Sequence, residues 1–596
     1  MSKKYPQHSP PQFVPYYEAA AQELQKQLNI QPVFCQLLVQ RGIYSLAAAR
    51  DYFRPQLADL PSPFLMRDMD KAVLRLKQAV DKQEKIVIYG DYDVDGTTSV
   101  ALLVSFLRPY NPHVHFYLPD RHDEGYGISQ KGVEWAKTQG AGLIIALDCG
   151  INAVEEVVWA KNEGMDFIIC DHHLPPDTLP EALAILNPKQ KGCAYPCKEL
   201  CGAAIGFKLL QGFLVYNNMD LNSLWAHLDL VALALAADYV DLRGENRILA
   251  YHGLRQLNDA PRLGLATLKS VLVQPEDNST LDIHSLVFKF GPLINAAGRI
   301  EHAREAVQLF LSDSEIVCNL HSNRLLDLNE ERRNLEKTAS TQARAQLLAL
   351  PDWENLPIFI LYQSDWHKGV LGIIAARIVE EFARPAIILC QSNGLWVGSA
   401  RTVGNFDIHA ALSHCSDDLH TYGGHRAAAG LSLEIQQLAN FINSLTAYAE
   451  LEFNPDTDIS PLWVDAELNL AQINDKFYNL LAQFAPFGPA NMRPVFYARQ
   501  LRAHGLPKLL KQTHLKFQLE TSPNEFEVLS VGEPCFYDLS ESRQFMHYQL
   551  RLRPDIINEL TVYFNSKMEV TFQNPRPDGI IFKRMDKKNP PYLNKK

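Results

Sequence analysis

The stretch that most constrains this chain is 85–99, where a short apolar run leads into three closely spaced aspartates. Residues 86–89 are apolar and predict a buried strand, which Gly90 ends. Asp91, Asp93 and Asp95 follow at every second position. Side chains two residues apart in extended backbone face the same way, so these carboxylates would repel one another unless a cation lay among them. The stretch therefore predicts a divalent metal site at the end of a strand.

The composition predicts a large soluble protein of several domains. The 596 residues are 47% hydrophobic and 21% charged, enough for roughly three to five domains. The N-terminal residues lack the apolar stretch of a signal peptide, and no run approaches the ~18 apolar residues of a membrane span, so we expect a cytoplasmic protein with no membrane partner. Because the net charge is −11, any nucleic-acid site must be a local basic groove.

Ten cysteines in so long a chain do not indicate a disulfide framework. Cys193, Cys197 and Cys201 recur at every fourth position, which is compatible with a zinc site. Pro196 disfavours a helix there, and no fourth ligand with zinc-like spacing follows. We therefore do not favour zinc.

The first half of the chain shows the pattern of an α/β protein with a parallel sheet. Residues 1–75 predict a helical N-terminal extension to which we assign no chemistry. Beyond it, short apolar runs alternate with amphipathic helices, as in a parallel sheet with crossover helices. The predicted strands are 86–89, 143–147, 167–170 and 184–186, and the predicted helices include 100–107, 132–138 and 154–162.

Three of these strands end in residues that bind metals. Parallel strands place their carboxyl ends along one edge, so residues far apart in sequence converge there. A mixed set of carboxylates and imidazoles suits Mn²⁺ better than an all-oxygen Mg²⁺ site, and two ions sharing a carboxylate would suit phosphodiester hydrolysis. The residues that follow the three strands are Asp91, Asp93 and Asp95, then Asp148, then Asp171, His172 and His173.

Asp238 adds a further acid within the apolar segment 228–242. A carboxylate in such surroundings is costly unless it is paired or bound to metal. The alternative is an aspartate exposed to water at a helix end, and periodicity alone does not separate the two.

Four motifs carry a resemblance to a known family. Asp91-Tyr-Asp-Val-Asp-Gly, Asp148-Cys-Gly, Asp171-His-His and Ala237-Asp resemble the motifs of the DHH phosphoesterases. The later stretches 291–299, 366–372 and 423–430 resemble its bacterial RecJ branch, and the resemblance extends over about residues 32–496. It implies a 5′→3′ exonuclease specific for single-stranded DNA, dependent on two Mn²⁺ or Mg²⁺ ions and used in recombination and repair.

The resemblance also assigns roles to residues. Asp93, Asp95, Asp148, His172 and Asp238 match metal ligands, with Asp148 as the bridge between two ions. By the same resemblance, His173 matches the contact to the scissile phosphate, Asp91 supports the site, and Asn295 and Arg299 match residues that grip the DNA backbone. Leu293 stands where relatives often carry a basic residue, which puts one phosphate contact in doubt.

Residues 312–350 contain neither Gly nor Pro and predict a long helix that joins two lobes, with several shorter helices as the alternative. Strands near 357–361, 386–389 and 395–397 then predict a second α/β lobe. Its polar clusters are predicted to lie in loops and to match the substrate-binding DHHA1 lobe of the family. The residues concerned are Ser399, Arg401, Gly424 and His425.

The C-terminal part predicts a small β-barrel that resembles an OB-fold, a fold that holds single strands by aromatic stacking in a basic groove. Residues 484–491 resemble the start of that domain in the RecJ branch. Basic residues occur here without an intervening acid, and we interpret them as DNA contacts rather than as one solvated face. They are Arg499, Arg502, Lys508, Lys511 and Lys516.

The predicted domain order follows from these patterns. The domains are a helical extension at 1–75, a DHH catalytic domain at 76–311, a connecting helix at 312–350, a DHHA1 lobe at 351–452, an OB-fold domain at 453–575 and a basic tail at 576–596. Single-stranded DNA is the expected substrate. The candidate protein partners are a single-stranded-DNA-binding protein and a RecQ-type helicase, and we expect a monomer.

Two other functions stay open on the sequence. A relative within the superfamily could hydrolyse short oligonucleotides or cyclic dinucleotides, although such proteins usually lack a barrel after the second lobe. A DNA-binding scaffold without catalysis is the other alternative, although every matched ligand position carries Asp or His.

Overall fold

The computed structural model describes residues 12–121, 123–273, 280–454, 463–469 and 472–498, and the backbone of further strands between 502 and 564. The described residues form two compact units. The larger unit comprises the described residues within 55–459 and 486–491. The smaller unit comprises those within 1–54, 460–485 and 492–596.

The larger unit begins with a parallel sheet of five strands that is buried on both faces. Its carboxyl edge carries the aspartates and histidines predicted from sequence. The four predicted strands are confirmed, whereas the edge strand 114–117 was not predicted because it is only partly buried and carries the polar His115. In sheet order the strands are Val114–Tyr117, Ile86–Gly90, Leu143–Leu147, Asp166–Cys170 and Ala184–Leu186.

Helices cover both faces of this sheet, and the three predicted crossover helices are present. The helix after the first strand starts earlier than predicted, because Asp93 caps it by accepting a hydrogen bond from Gly96 N at 3.0 Å. The principal helices are Met69–Asp81, Val94–Leu107, Gln130–Thr138, Val154–Asn162, Gly202–Tyr216, Leu228–Ala237, Gly244–Asp259, Leu263–Leu272, Gly291–Ile300 and Arg304–Leu311.

The predicted connecting helix is confirmed as one uninterrupted helix, Glu315–Ala349, of 35 residues. The alternative of several shorter helices is wrong. On this helix Glu336 is buried and accepts a hydrogen bond from Arg332 at 2.5 Å. It also pairs with Arg377, so it joins the connecting helix to a helix of the second lobe, Leu371–Phe382.

The second lobe contains a mixed five-stranded sheet with helices Leu371–Phe382, Ile408–His414 and Leu438–Glu452. The prediction that its polar clusters lie in loops is wrong. Antiparallel pairing extends the strands through both clusters, with Arg401 opposite Ala428 and Ala428 opposite His425. In sheet order the strands are Thr421–His425, Ala428–Glu434, Leu395–Arg401, Ala386–Ser392 and Phe359–Tyr362.

The smaller unit combines the N-terminal helices with the C-terminal sheet. Gln36 and Gln40 donate to the carbonyl oxygen of Asp465 at 2.7 and 2.8 Å, and the ring of Phe34 lies 4.8 Å from that of Phe477. The helices are Glu18–Leu28, Pro32–Gln40, Leu46–Phe53 and Asp475–Ala482. The described part of this unit also pairs strand Gln12–Phe13 with Trp463–Val464.

Seven described strands form the C-terminal sheet of this unit. Among the predicted DNA contacts, Arg502, Lys508 and Lys516 lie in these strands. Arg499, Lys511 and the predicted tail 576–596 lie outside the described residues. In sheet order the strands are Ala466–Glu467, Phe496–Ala498, Glu559–Phe564, Met546–Arg551, Phe526–Ser530, His514–Glu520 and Arg502–Leu510.

Two expectations from composition can be compared with the described structure. Among its residues, the clusters with metal-binding spacing do not include Cys193, Cys197 or Cys201. Within the same part of the chain, every helix is too short or too polar to cross a bilayer.

Candidate active site

The carboxyl edge of the parallel sheet brings together the acids and imidazoles predicted from sequence. They form three overlapping groups, and within each group the potential ligand atoms lie within 4.8 Å of one another. Asp148 and His172 each belong to two of the groups, and of these two side chains only the carboxylate has two oxygen atoms with which to bridge two ions. The groups are Asp91, Asp93 and Asp148, then Asp148, His172 and His173, and then Asp95, His172 and Asp238.

Helix N-termini position two of the carboxylates. Asp93 caps its own helix, whereas the Asp95 carboxylate accepts hydrogen bonds from Gly202 N at 2.6 Å and Ala203 N at 2.8 Å. The free N–H groups and the dipole of the Gly202–Tyr216 helix stabilise this negative charge. This second helix starts more than 100 positions later in the chain, so the sequence did not indicate the contact.

Close packing positions Asp148. Its backbone has φ of 59°, and the helix that starts at Gly202 packs directly against it. A Cβ atom at position 202 would lie 2.5 Å from Asp148 Cβ, which no ordinary contact allows. Gly202 therefore permits the helix that holds Asp95 and the strand end that holds Asp148 to approach each other.

The site lacks enough hydrogen-bond donors for its acids. Asp91, Asp148 and Asp238 each have a buried carboxylate oxygen that makes no hydrogen bond within the described structure. Asp148 Oδ1 lies 3.1 Å from His172 Nε2, but outside hydrogen-bonding geometry. Buried anionic oxygens without partners are costly, and a cation among them removes that cost. The donor set therefore fits divalent metal ions.

Burial and mutual repulsion act on the same carboxylates. Burial is the main reason that the pKa of Asp95 rises to about 6 and that of Asp238 to about 9, and repulsion from neighbouring aspartates adds to both shifts. The same causes raise the pKa values of Asp91 and Asp148. Asp238 does lie at the end of the Leu228–Ala237 helix, as the alternative interpretation expects, but its Oδ2 is buried rather than exposed to water.

The two histidines lie in different environments. Burial, and then the nearby His173, lower the pKa of His172 to about 3, so its ring is neutral and can act as a metal ligand. Its Nδ1 lies 3.6 Å from Asp238 Oδ2. Burial alone would lower the pKa of His173, but a 2.7 Å contact between its Nδ1 and Asp171 Oδ1 outweighs burial and raises it.

Asp171 supports His173 rather than joining the three groups. Burial would raise its pKa, but hydrogen bonds from the His173 side chain and from the Ile151 and His173 backbone N–H groups outweigh that effect and lower it. Asp171 thus remains an anion that fixes one edge of the His173 ring.

The residues predicted to bind the DNA backbone make different contacts in the structure. Arg299 lies in the last turn of the Gly291–Ile300 helix and donates to the carbonyl oxygen of Gly369 in the second lobe at 3.1 Å. Asn295 Oδ1 accepts a hydrogen bond from Val94 N at 3.1 Å, so it supports the helix behind the aspartate loop. The Leu293 side chain is buried in the core, so it does not contact DNA in place of the basic residue that relatives often carry there.

Arginines gather around Arg299. Burial, and then the positive charges of Arg121, Arg332 and Arg401, lower its pKa to about 10. Arg401 also donates to Ser399 Oγ at 3.0 Å. Arg332 is already paired with Glu336. Guanidinium groups bind phosphate well, so this group of arginines suits a nucleic-acid backbone. Gly424 and His425 are exposed on the edge strand of the second lobe.

Sequence reasoning missed three residues of this region, namely Arg121, Tyr126 and Arg332. Arg121 follows the unpredicted edge strand, and its guanidinium lies 4.9 Å from the centre of the Tyr92 ring. Tyr126 contacts His173 and stands between two glycines, which was the available signal. Arg332 had no such signal, because a charge on a long helix usually faces solvent.

Comparisons with known proteins agree with this geometry. The model of the DHH family N-terminal domain matches residues 85–235, that of the DHHA1 domain 355–451, and that of the RecJ OB domain 464–553. A single-stranded-DNA-specific exonuclease RecJ of Haemophilus influenzae is 32% identical over 527 residues, covering 83% of this chain and 89% of that protein. The chain belongs to the RecJ family.

Other RecJ proteins extend this result. The RecJ of Escherichia coli is 32% identical over 83% of this chain and 87% of its own length. That of Bacillus subtilis is 34% identical over 86% of this chain, which spans 64% of the length of that relative. The crystal structure of RecJ in complex with Mn²⁺ from Thermus thermophilus matches with a TM-score of 0.77 at 25% identity, covering 93% of this chain and 78% of that one.

Proposed function

We propose that this chain is a metal-dependent exonuclease that hydrolyses single-stranded DNA from its 5′ end in recombination and repair. The observation that carries the proposal is the pairing of two features. A buried group of carboxylates with unsatisfied oxygens lies near a group of arginines whose guanidinium groups suit phosphate. A phosphodiester could bind both groups, once metal ions had neutralised the acids.

The residues that would hold two Mn²⁺ or Mg²⁺ ions are Asp93, Asp95, Asp148, His172 and Asp238, with Asp91 beside them. Bound there, divalent ions lower the pKa of water and offset negative charge on the phosphate. The RecJ relative from Thermus thermophilus carries Mn²⁺ in its crystal structure.

The chain's own residues bind and orient the DNA. His173, held by Asp171, contacts the scissile phosphate. Arg299 and Arg401 hold phosphates through paired hydrogen bonds. Ser399, Gly424 and His425 extend this surface along the second lobe. Asn295 acts indirectly, through its hydrogen bond to Val94 N.

We further propose that the C-terminal domain binds single-stranded DNA. Its basic residues Arg499, Arg502, Lys508, Lys511 and Lys516 would contact the backbone. A local basic groove is the form that a DNA site takes in a chain of net charge −11. We also place the protein in the cytoplasm, with a single-stranded-DNA-binding protein and a RecQ-type helicase as partners.

A direct digestion experiment tests the proposal. Long single-stranded DNA labelled at either end is incubated with Mn²⁺ or with EDTA, beside a matching duplex and a dinucleotide. We expect shortening of the single strand from its 5′ end, with Mn²⁺ only. Release of the 3′ label first would overturn the polarity, and cleavage of the dinucleotide alone would favour the short-oligonucleotide enzymes.

A further inference from the structure

We propose that Tyr126 is a positioning residue that fixes the orientation of the His173 ring. This inference rests on the proposed function, in which His173 contacts the scissile phosphate. Tyr126 lies 47 positions before His173 in the chain and contacts its ring.

The His173 ring is held along one edge by two different groups. Its Nδ1 lies 2.7 Å from Asp171 Oδ1, which fixes one direction of the ring. The Tyr126 hydroxyl oxygen lies 3.1 Å from its Nε2 and 3.3 Å from its Nδ1. A single hydrogen bond leaves the ring free to rotate about that bond. The second contact removes this freedom.

The Tyr126 hydroxyl is itself anchored to the metal-binding edge. It donates to the carbonyl oxygen of Asp148 at 3.1 Å. One hydroxyl group thus joins the His173 ring to the backbone of Asp148, which belongs to two of the three ligand groups. The arrangement fixes His173 relative to the carboxylates as well as to its own strand end.

The loop that carries Tyr126 is held from within. Two residues before it, the Glu124 side chain accepts hydrogen bonds from Tyr117 Oη at 2.9 and 3.0 Å, and also from Asp120 N and Ser129 Oγ. These bonds close the loop onto the end of the edge strand and the start of the next helix. Tyr126 is therefore placed by a structured loop.

Two features distinguish this role from a core contact. The Tyr126 side chain is exposed over about half of its surface, so burial does not explain its position. The glycines on either side have φ of 84° and 89°, and a Cβ atom at either would meet nothing within 4 Å. The loop therefore needs glycine at both positions for backbone conformation and not for close packing.

The test removes only the hydroxyl group, in Tyr126→Phe. Cleavage of single-stranded DNA is measured under single-turnover conditions with Mn²⁺, and binding of the same DNA is measured in EDTA. We expect the cleavage rate constant to fall by about tenfold or more, as for loss of orientation of a group that contacts the scissile phosphate. We expect the dissociation constant to stay within about twofold. Tyr216→Phe removes a hydroxyl of similar exposure at the far end of a helix and serves as the matched control.

A double-mutant cycle with His173→Ala shows whether Tyr126 acts through His173. If it does, adding Tyr126→Phe to His173→Ala changes the rate constant by less than about twofold. The inference is wrong if both backgrounds lose activity by the same factor, or if Tyr126→Phe alone weakens DNA binding and leaves the cleavage rate unchanged. It is also wrong if Tyr126→Phe cleaves at the wild-type rate. Thermal melting of each variant verifies that it is folded.

The two proposals fail in different ways. The wild-type enzyme is tested first with single-stranded DNA and with a dinucleotide. If it cleaves only the dinucleotide, the proposed substrate is wrong. The cycle is then run on the dinucleotide and still decides the role of Tyr126.

Discussion

Asp148 shows how the environment of one residue determines its chemistry. Its backbone lies in the left-handed region, Gly202 packs against it, and its Oδ1 is buried without a hydrogen bond. Burial, and then the charge of other aspartates, raise its pKa. An acid in this position is unfavourable by itself and becomes favourable only with a bound cation.

We expect Asp148→Asn to abolish DNA hydrolysis, because an amide cannot replace a bridging carboxylate. The Arg299 and Arg401 contacts are untouched, so single-stranded DNA should bind in EDTA with the wild-type affinity. Gel-based cleavage and fluorescence anisotropy measure the two properties. Residual cleavage near the wild-type rate would contradict the two-metal assignment.

His227 predicts a pH effect on stability away from the active site. Burial, and then the adjacent Arg262, lower its pKa to about 4, while Asp229 acts in the opposite direction. Its Nδ1 lies 3.3 Å from Ser105 Oγ and from an Arg262 nitrogen. Between pH of about 6.5 and 4 the unfolded chain binds a proton at this position and the folded chain does not. The free energy of unfolding therefore decreases as the pH falls through this window.

The variant His227→Asn should lack this part of the pH dependence. We measure the free energy of unfolding of wild type and variant by urea denaturation. The difference between the two should change by roughly 1–3 kcal/mol between pH 7 and pH 4. His113→Asn, at a surface position, is the control. Parallel curves for wild type and His227→Asn would contradict the assignment.

Among the elements, short helices and loops assemble the site on a simple sheet. Parallel strands place their ends together, and the helices Val94–Leu107, Gly202–Tyr216 and Gly291–Ile300 supply contacts from distant parts of the chain. The last of these helices carries Arg299, which the second lobe holds through Gly369 O. The helix and the lobe together decide where this guanidinium lies.

We expect Arg299→Ala to weaken DNA binding more than it slows cleavage of bound DNA. One lost phosphate contact should reduce the slope of log affinity against log salt by about 0.7, the value per contact for single strands. Arg299→Lys should restore the charge but not the paired hydrogen bonds. Arg344→Ala, on an exposed part of the connecting helix, is the control. An unchanged slope would remove Arg299 from the phosphate contacts.

At the scale of the whole molecule, the active site reduces the stability of the metal-free fold. Asp91, Asp95, Asp148 and Asp238 are buried or partly buried, and all have raised pKa values. The same network of strands and helices that brings them together also holds their charges close. Metal binding to the folded chain alone would therefore stabilise it by mass action.

We expect Mn²⁺ to raise the melting temperature relative to EDTA, because a ligand at about 100 times its dissociation constant adds about 2.7 kcal/mol. Differential scanning fluorimetry measures the shift. Asp148→Asn should lose most of it, and Ca²⁺ or Mg²⁺ can be compared in the same plate. An identical shift in wild type and Asp148→Asn would place the stabilising ion elsewhere.

Local sequence patterns predicted most of the strands, the long helix and the candidate ligands. Short apolar runs mark buried strands, and three of these runs end at the acids or histidines of the site. The shared edge of parallel strands is a general rule, so convergence of Asp91, Asp148 and His172 could be predicted from local patterns alone.

How far each acid is buried, and which elements cover the edge of the sheet, depends on tertiary packing. Asp95 is held by a helix that starts at Gly202, and Tyr126 contacts His173 from a loop. Sequence patterns record which face of an element is buried, because burial repeats with the period of that element. They do not record which distant element covers it, since that depends on how the whole chain packs.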